Sequence, residues 1–189
     1  MAPSQAATGR FGGESLIIAP QWIGDAVMTE PLLRRLAARG ERITVAAVPW
    51  VAPVYRAMPQ VAEVLVLPFA RGGVQWTARR AYAASLRGRF NRAYVCPNSL
   101  KSALIPFWAG IPVRVGYSGE LRFGLLTRRL PNPPNNSRPP MVAFYSALSG
   151  ETGVDHDRPA LEVAPGAIAA VLAPRSWQAQ GFYVVAPGA

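Results

Sequence analysis

Apolar residues enter this chain in short bursts separated by amphipathic stretches. The run Leu16–Ala19 ends in Pro20, predicting a first strand over 15–19. From Asp25 to Ala38, Val27, Leu32, Leu33 and Leu36 form one apolar side, and Arg34, Arg35 and Arg39 gather near the C-terminal end. That pattern predicts a helix with Gly40 as its C-cap. Pro31 falls inside the span, so a kink or restart near Thr29 is expected. Further strands are predicted at Arg42–Val48, Glu63–Leu67, Ala93–Cys96 and Val113–Tyr117. Helices are predicted at Ala52–Met58, 74–88, 99–109 and Met141–Leu148, with Arg71-Gly72-Gly73 as a turn. Strand–helix alternation of this kind predicts an α/β fold.

Two regions break the rhythm. Residues 118–140 run into LPNPPNNSRPP, where proline and asparagine predict a loop or flap without regular structure. Residues 151–164 read as a connector, followed by a helix near 167–178 and a strand at 182–186. The expected organisation is a disordered leader over 1–14, one α/β unit over 15–150, and the connector with the start of a second unit over 151–189.

Charge narrows the partners. Residues 71–129 hold ten arginines and Lys101 against a single acid, Glu120, while the rest of the chain is balanced. A field of that sign suits a phosphorylated sugar, an acidic lipid headgroup or nucleic acid. No nucleic-acid reader motif accompanies it. The single cysteine, Cys96, excludes an internal disulfide framework, and with one histidine, His156, no zinc constellation is expected. No stretch reaches the roughly 18 continuous apolar residues of a membrane span. The first residues lack the apolar core of a secretion signal, so a cytoplasmic protein with peripheral membrane contact is expected.

Candidate chemistry centres on the turn Gln21-Trp22-Ile23-Gly24 and Asp25. Asp25 opens a helix at the C-terminal edge of the first strand, where α/β sheets keep their ligands. A carboxylate there can cap the helix, or orient a hydroxyl and accept its proton as the oxygen becomes acidic. Gly24 removes bulk beside it, and Trp22 can pack under a sugar or brace the loop. Neither G-x-G-x-x-G nor G-x-x-x-x-G-K-S/T follows the first strand, and no G-x-S-x-G elbow is present. Ser99, Lys101 and Ser102 lie at a predicted helix start, where free amides can hold phosphate. Arg114 in the fifth strand and Arg122 in the loop after it could clamp an anionic sugar, with Glu120 as an alternative surface partner for either.

Three blocks carry a family resemblance: IIAPQWIGDAVMTEPLLRRL at 17–36, RAYVCPNSLKSALIPFWAGIPVRVGYSGELRFGLL at 92–126, and VVAPGA at 184–189. On them the chain resembles the bacterial lipopolysaccharide heptosyltransferases of glycosyltransferase family 9, and PNSLKSALIPFWAGIP favours the type II branch. The resemblance implies an inverting GT-B enzyme built of two Rossmann-like domains. The N-terminal domain would receive the Kdo–lipid A inner core. A second domain, opening near the last strand of this chain, would bind ADP-L-glycero-D-manno-heptose without a metal or other cofactor. Asp25 then corresponds to the general base, and Trp22, Gly24, Ser99, Lys101, Arg114, Glu120 and Arg122 to the substrate-binding set. A monomer at the cytoplasmic face of the inner membrane is implied. The alternatives are an inactive or glycolipid-binding fragment, or a related ADP-heptose transferase such as the type I enzymes.

Overall fold

The computed structural model describes residues 13–69, 73–151, 158–162 and 166. Six parallel strands form one sheet: β1 (Glu14–Ile18), β2 (Arg42–Ala47), β3 (Val61–Val66), β4 (Arg92–Val95), β5 (Val113–Tyr117) and β6 (Arg128–Leu130). Their spatial order is β3-β2-β1-β4-β5-β6, a doubly wound sheet whose direction of growth reverses between β1 and β4. Helices cover both faces, which is why the inner strands read as apolar runs rather than as alternating patterns. Leu16, Ile17, Ile43 and Val45 are fully enclosed, and each such side chain contributes about 1.5–3 kcal/mol on leaving water.

The restart expected near Thr29 is present. Helix α1 (Ile23–Met28) ends there and α2 (Glu30–Ala38) begins. Pro31 sits in the first turn of α2, where its missing N–H costs no helical hydrogen bond. The hydroxyl of Thr29 donates to the Ala26 carbonyl at 2.7 Å, and the buried Tyr55 hydroxyl lies 3.0 Å from it. Gly40 closes α2 at φ +79°, with its N–H on Ala37 and that of Glu41 on Leu36. Short helix α3 (Ala52–Arg56) leads to β3, and α4 (Trp76–Ser85) and α5 (Leu100–Trp108) flank β4 in sequence.

Part of the irregular stretch expected over 118–140 is ordered. Arg128, Arg129 and Leu130 pair with Val115, Gly116 and Tyr117 as edge strand β6. Three residues, two of them charged, carry no strand periodicity. The edge position explains both the brevity and the arginines, which discourage pairing with another chain. Asn135–Ser137 forms one 3-10 turn before α6 (Met141–Ser146). Strand β1 begins at Glu14, one residue inside the leader expected over 1–14. Residues 1–12 of that leader, the Arg71-Gly72 turn, most of the connector, and the elements expected at 167–178 and 182–186 lie outside the described residues.

Candidate functional site

The sheet leaves a cleft of about 210 Å³ beyond the C-terminal ends of β1 to β4. Its floor is apolar, from Ile18, Val48, Leu67 and Phe69. Gln21 and Trp50 stand at the rim, joined by a 2.9 Å hydrogen bond from the indole N–H to the Gln21 carbonyl. Ser99, Lys101 and Ser102 line the cleft from α5, and Arg79 lines it from α4. Helix crossovers leave to opposite sides of β1 and β4, so their loops cannot close over this point.

Asp25 lies in the first turn of α1, half-buried, on the turn that also carries Gln21. Trp22 rather than Asp25 is the N-cap residue, and no side chain caps the helix by a hydrogen bond. The buried Tyr145 phenol of α6, which packs against α1, lies near enough to interact with the carboxylate. Burial pushes that phenol well above its ordinary pKa, with Cys96 and Asp25 adding to the shift. Burial likewise pushes the Cys96 thiol up to about 12, again with Asp25 contributing, and raises Tyr55. Two phenols and a thiol that burial keeps neutral thus lie in the electrostatic neighbourhood of Asp25. A Cβ on Gly24 would meet no atom within 4 Å, and the Trp22 ring is 70% exposed. The approach to Asp25 past these two residues is open.

The second predicted group divides. Ser99 is the N-cap residue of α5, but its hydroxyl accepts no helix amide N–H and instead donates to the Ser102 hydroxyl at 3.2 Å. Glu120 accepts the Leu100 N–H at 3.0 Å and so caps α5 from the neighbouring loop. That contact replaces the simple surface ion pair expected of it. Arg122 is 1% exposed, and its guanidinium donates to the carbonyls of Pro97 at 2.7 Å and of Tyr117. Arg114 donates to the carbonyls of Leu125 at 2.6 Å and Ile111 at 2.5 Å. The clamp expected of these two arginines does not form. Their donors fasten the 118–127 loop to the ends of β4 and β5, because carbonyls released at strand ends need partners.

Three contributors escaped the sequence reading. Tyr145 sits in a helix more than a hundred residues from Asp25, and no local pattern links them. Trp50 both braces Gln21 and lines the cleft. Arg79 could have been found: Arg79, Ala83 and Leu86 follow helical spacing and are all buried, so that face of α4 carries an arginine inward. Among the described residues no three His, Cys, Asp or Glu side chains converge as metal ligands would.

Residues 79–189 match the model of glycosyltransferase family 9 (heptosyltransferase). The chain belongs to that family. It is 44% identical over 144 residues to lipopolysaccharide heptosyltransferase 2 of Escherichia coli K12, an alignment covering 74% of this chain and 40% of that protein. The solved E. coli ADP-heptose LPS heptosyltransferase II superposes with a TM-score of 0.75 at 35% identity, over 88% of this chain and 51% of that one. A family 9 glycosyl transferase from Veillonella parvula gives a TM-score of 0.71 at 15% identity, covering 88% and 50%, which shows the shared fold. The expected fold, a Rossmann-like N-terminal domain of the GT-B kind, is therefore the fold found. This chain spans about half the length of the solved relatives it matches.

Proposed function

We propose that this chain is the acceptor-side half of an ADP-heptose:lipopolysaccharide heptosyltransferase of the type II branch. The observation that carries the reading is Asp25, in the first turn of α1 at the switch point of the sheet, with the buried Tyr145 phenol of α6 near it. The 44% identity to a protein described as lipopolysaccharide heptosyltransferase 2 supports the choice of substrate. In the reaction, a hydroxyl of the first core heptose attacks the anomeric carbon of ADP-heptose from the face opposite the leaving group. The new C–O bond forms as the bond to ADP breaks, configuration inverts, and the hydroxyl proton passes to Asp25. ADP departs with the bonding electrons. The donor belongs to the second domain of the family, and the excess of arginine over 71–129 suits the acidic Kdo–lipid A acceptor at the cytoplasmic membrane face. No helix among the described residues is long and apolar enough to cross that membrane.

The test is heptose transfer by this chain joined to a family second domain. Asp25→Asn keeps the side-chain size and loses the proton acceptor, so kcat is expected to fall by about 10²–10⁴-fold with little change in KM. Normal turnover in that variant overturns the general-base role. Transfer by the 189 residues alone overturns the assignment of the donor to another domain.

A further inference from the structure

The reading above leaves Arg79 unused. Its side chain projects from α4 into the cleft and is 7% exposed. Nε donates to the Val74 carbonyl at 2.7 Å, and the guanidinium lies 4.3 Å from the Phe69 ring centroid. No carboxylate pairs with it among the described residues. Burial accordingly lowers its pKa with no neighbouring charge to compensate. One donor of five holds the loop, and the Nη hydrogens have no protein acceptor among the described residues. A buried guanidinium without a counter-ion is costly, and an arriving anion removes that cost.

The neighbouring helix α5 repeats the chemistry. Lys101 lines the same cleft from the first turn of α5 and forms no ion pair among the described residues. The α5 N-terminus adds the positive end of a nine-residue helix, with the Ser99 and Ser102 hydroxyls beside it. Glu120 occupies the Leu100 amide from the loop and does not line the cleft. At the rim Gln21 offers a polar group, beside Trp50. A space of 210 Å³ equals about seven waters, enough for one substituted sugar unit and too small for an oligosaccharide.

We propose that this cleft is a sugar-phosphate subsite in which Arg79 and Lys101, from the neighbouring helices α4 and α5, together grip a phosphate monoester. The phosphate comes from the acceptor, an assignment that rests on this chain being the acceptor half. The subsite then distinguishes phosphorylated from unphosphorylated acceptor units beside the reacting hydroxyl.

Calorimetric titration of the 189-residue chain with mannose 6-phosphate tests this, with mannose and ADP as comparison ligands. Binding of mannose 6-phosphate and not of mannose is expected. Arg79→Met and Lys101→Met should each weaken it by at least about tenfold, as for loss of a charge-assisted contact. Arg80→Met, which removes an exposed charge from the same helix, should change it less than about threefold. Equal losses in all three variants mean a diffuse surface field and overturn the subsite, as does absence of binding. Tighter binding of ADP through Arg79 overturns the acceptor assignment. If Arg79→Met does not fold, Arg79→Lys and Lys101→Met carry the test, since Lys101 lies at a partly exposed helix start. This binding readout needs no turnover. A failed Asp25→Asn experiment leaves it standing, and a failed titration leaves the general-base reading intact.

Discussion

Asp25 takes its character from neighbours that keep their protons. Tyr145 stands near it, and the adjoining thiol and phenols stay neutral because burial penalises their anions. Cys96 gives a direct check. A thiol pushed up to about 12 holds a thiolate fraction near one in ten thousand at about pH 8, and the side chain is 2% exposed. Native protein should therefore leave Cys96 unmodified by a disulfide reagent such as DTNB, while denatured protein reacts fully. Rapid release of the chromophore from folded protein contradicts this environment. From sequence alone, Cys96 already fell in a predicted strand, and Asp25 already read as the leading acid. Tyr145 did not, because a contact between α1 and α6 has no local signature.

At the scale of elements, the segment after β5 shows how a polar, proline-rich sequence acquires order. Arg122 and Arg114 fasten it through carbonyls, Glu120 caps α5, and β6 adds to the sheet edge. Leu121 and Phe123 stay exposed at its tip. Gly119 is where the loop passes nearest the β4 end: a Cβ there would lie 2.9 Å from the Asn98 carbonyl oxygen. Backbone cannot yield as a flexible side chain can. Gly119→Ala should therefore cost about 1–2 kcal/mol, read as a lower urea midpoint, while Gly73→Ala, with nothing within 4 Å, should change it by less than about 0.5 kcal/mol. Equal midpoints for the two variants argue against a tight loop seat. The four inner strands and the break at Thr29 were legible because burial on two faces and Pro31 both write local patterns. Strand β6 was not, since two arginines and a leucine become a strand only when β5 offers an edge.

Across the whole molecule, acids fix how distant segments meet. Buried Glu30, at the start of α2, accepts the Gln60 side-chain amide at 2.9 Å and the Ala160 N–H at 3.1 Å. Glu41 draws together Ser15, Tyr94 and Arg92 under the sheet. On the surface, Glu151 takes hydrogen bonds from Arg39 and Arg35, and Arg39 also donates to the Ser149 carbonyl at 2.7 Å. The hydrogen bond from Arg39 leads in holding the Glu151 carboxyl below its ordinary value of 4.5. Since the folded pKa is the lower one, the stabilisation is complete above about pH 4.5 and fades as pH falls through the folded pKa. Urea midpoints of the parent and Glu151→Gln should differ near pH 7 and converge towards about pH 3, and the gap should shrink in high salt. A gap that widens on acidification contradicts this linkage.

The sequence by itself determined the strand–helix alternation, the covered inner strands, the place of Asp25 at a strand end and the concentration of positive charge. Each depends on residues adjacent in the chain or spaced by one helical turn, so a linear pattern records it. Tertiary structure alone decided which arginines are spent and which are available. Arg114 and Arg122 lie where strand-end carbonyls need donors, whereas Arg79 faces a cleft without a counter-ion. A guanidinium has the same composition in either setting. Its partners are set by the closing of β1 to β5 around one edge, which brings together atoms far apart in the chain.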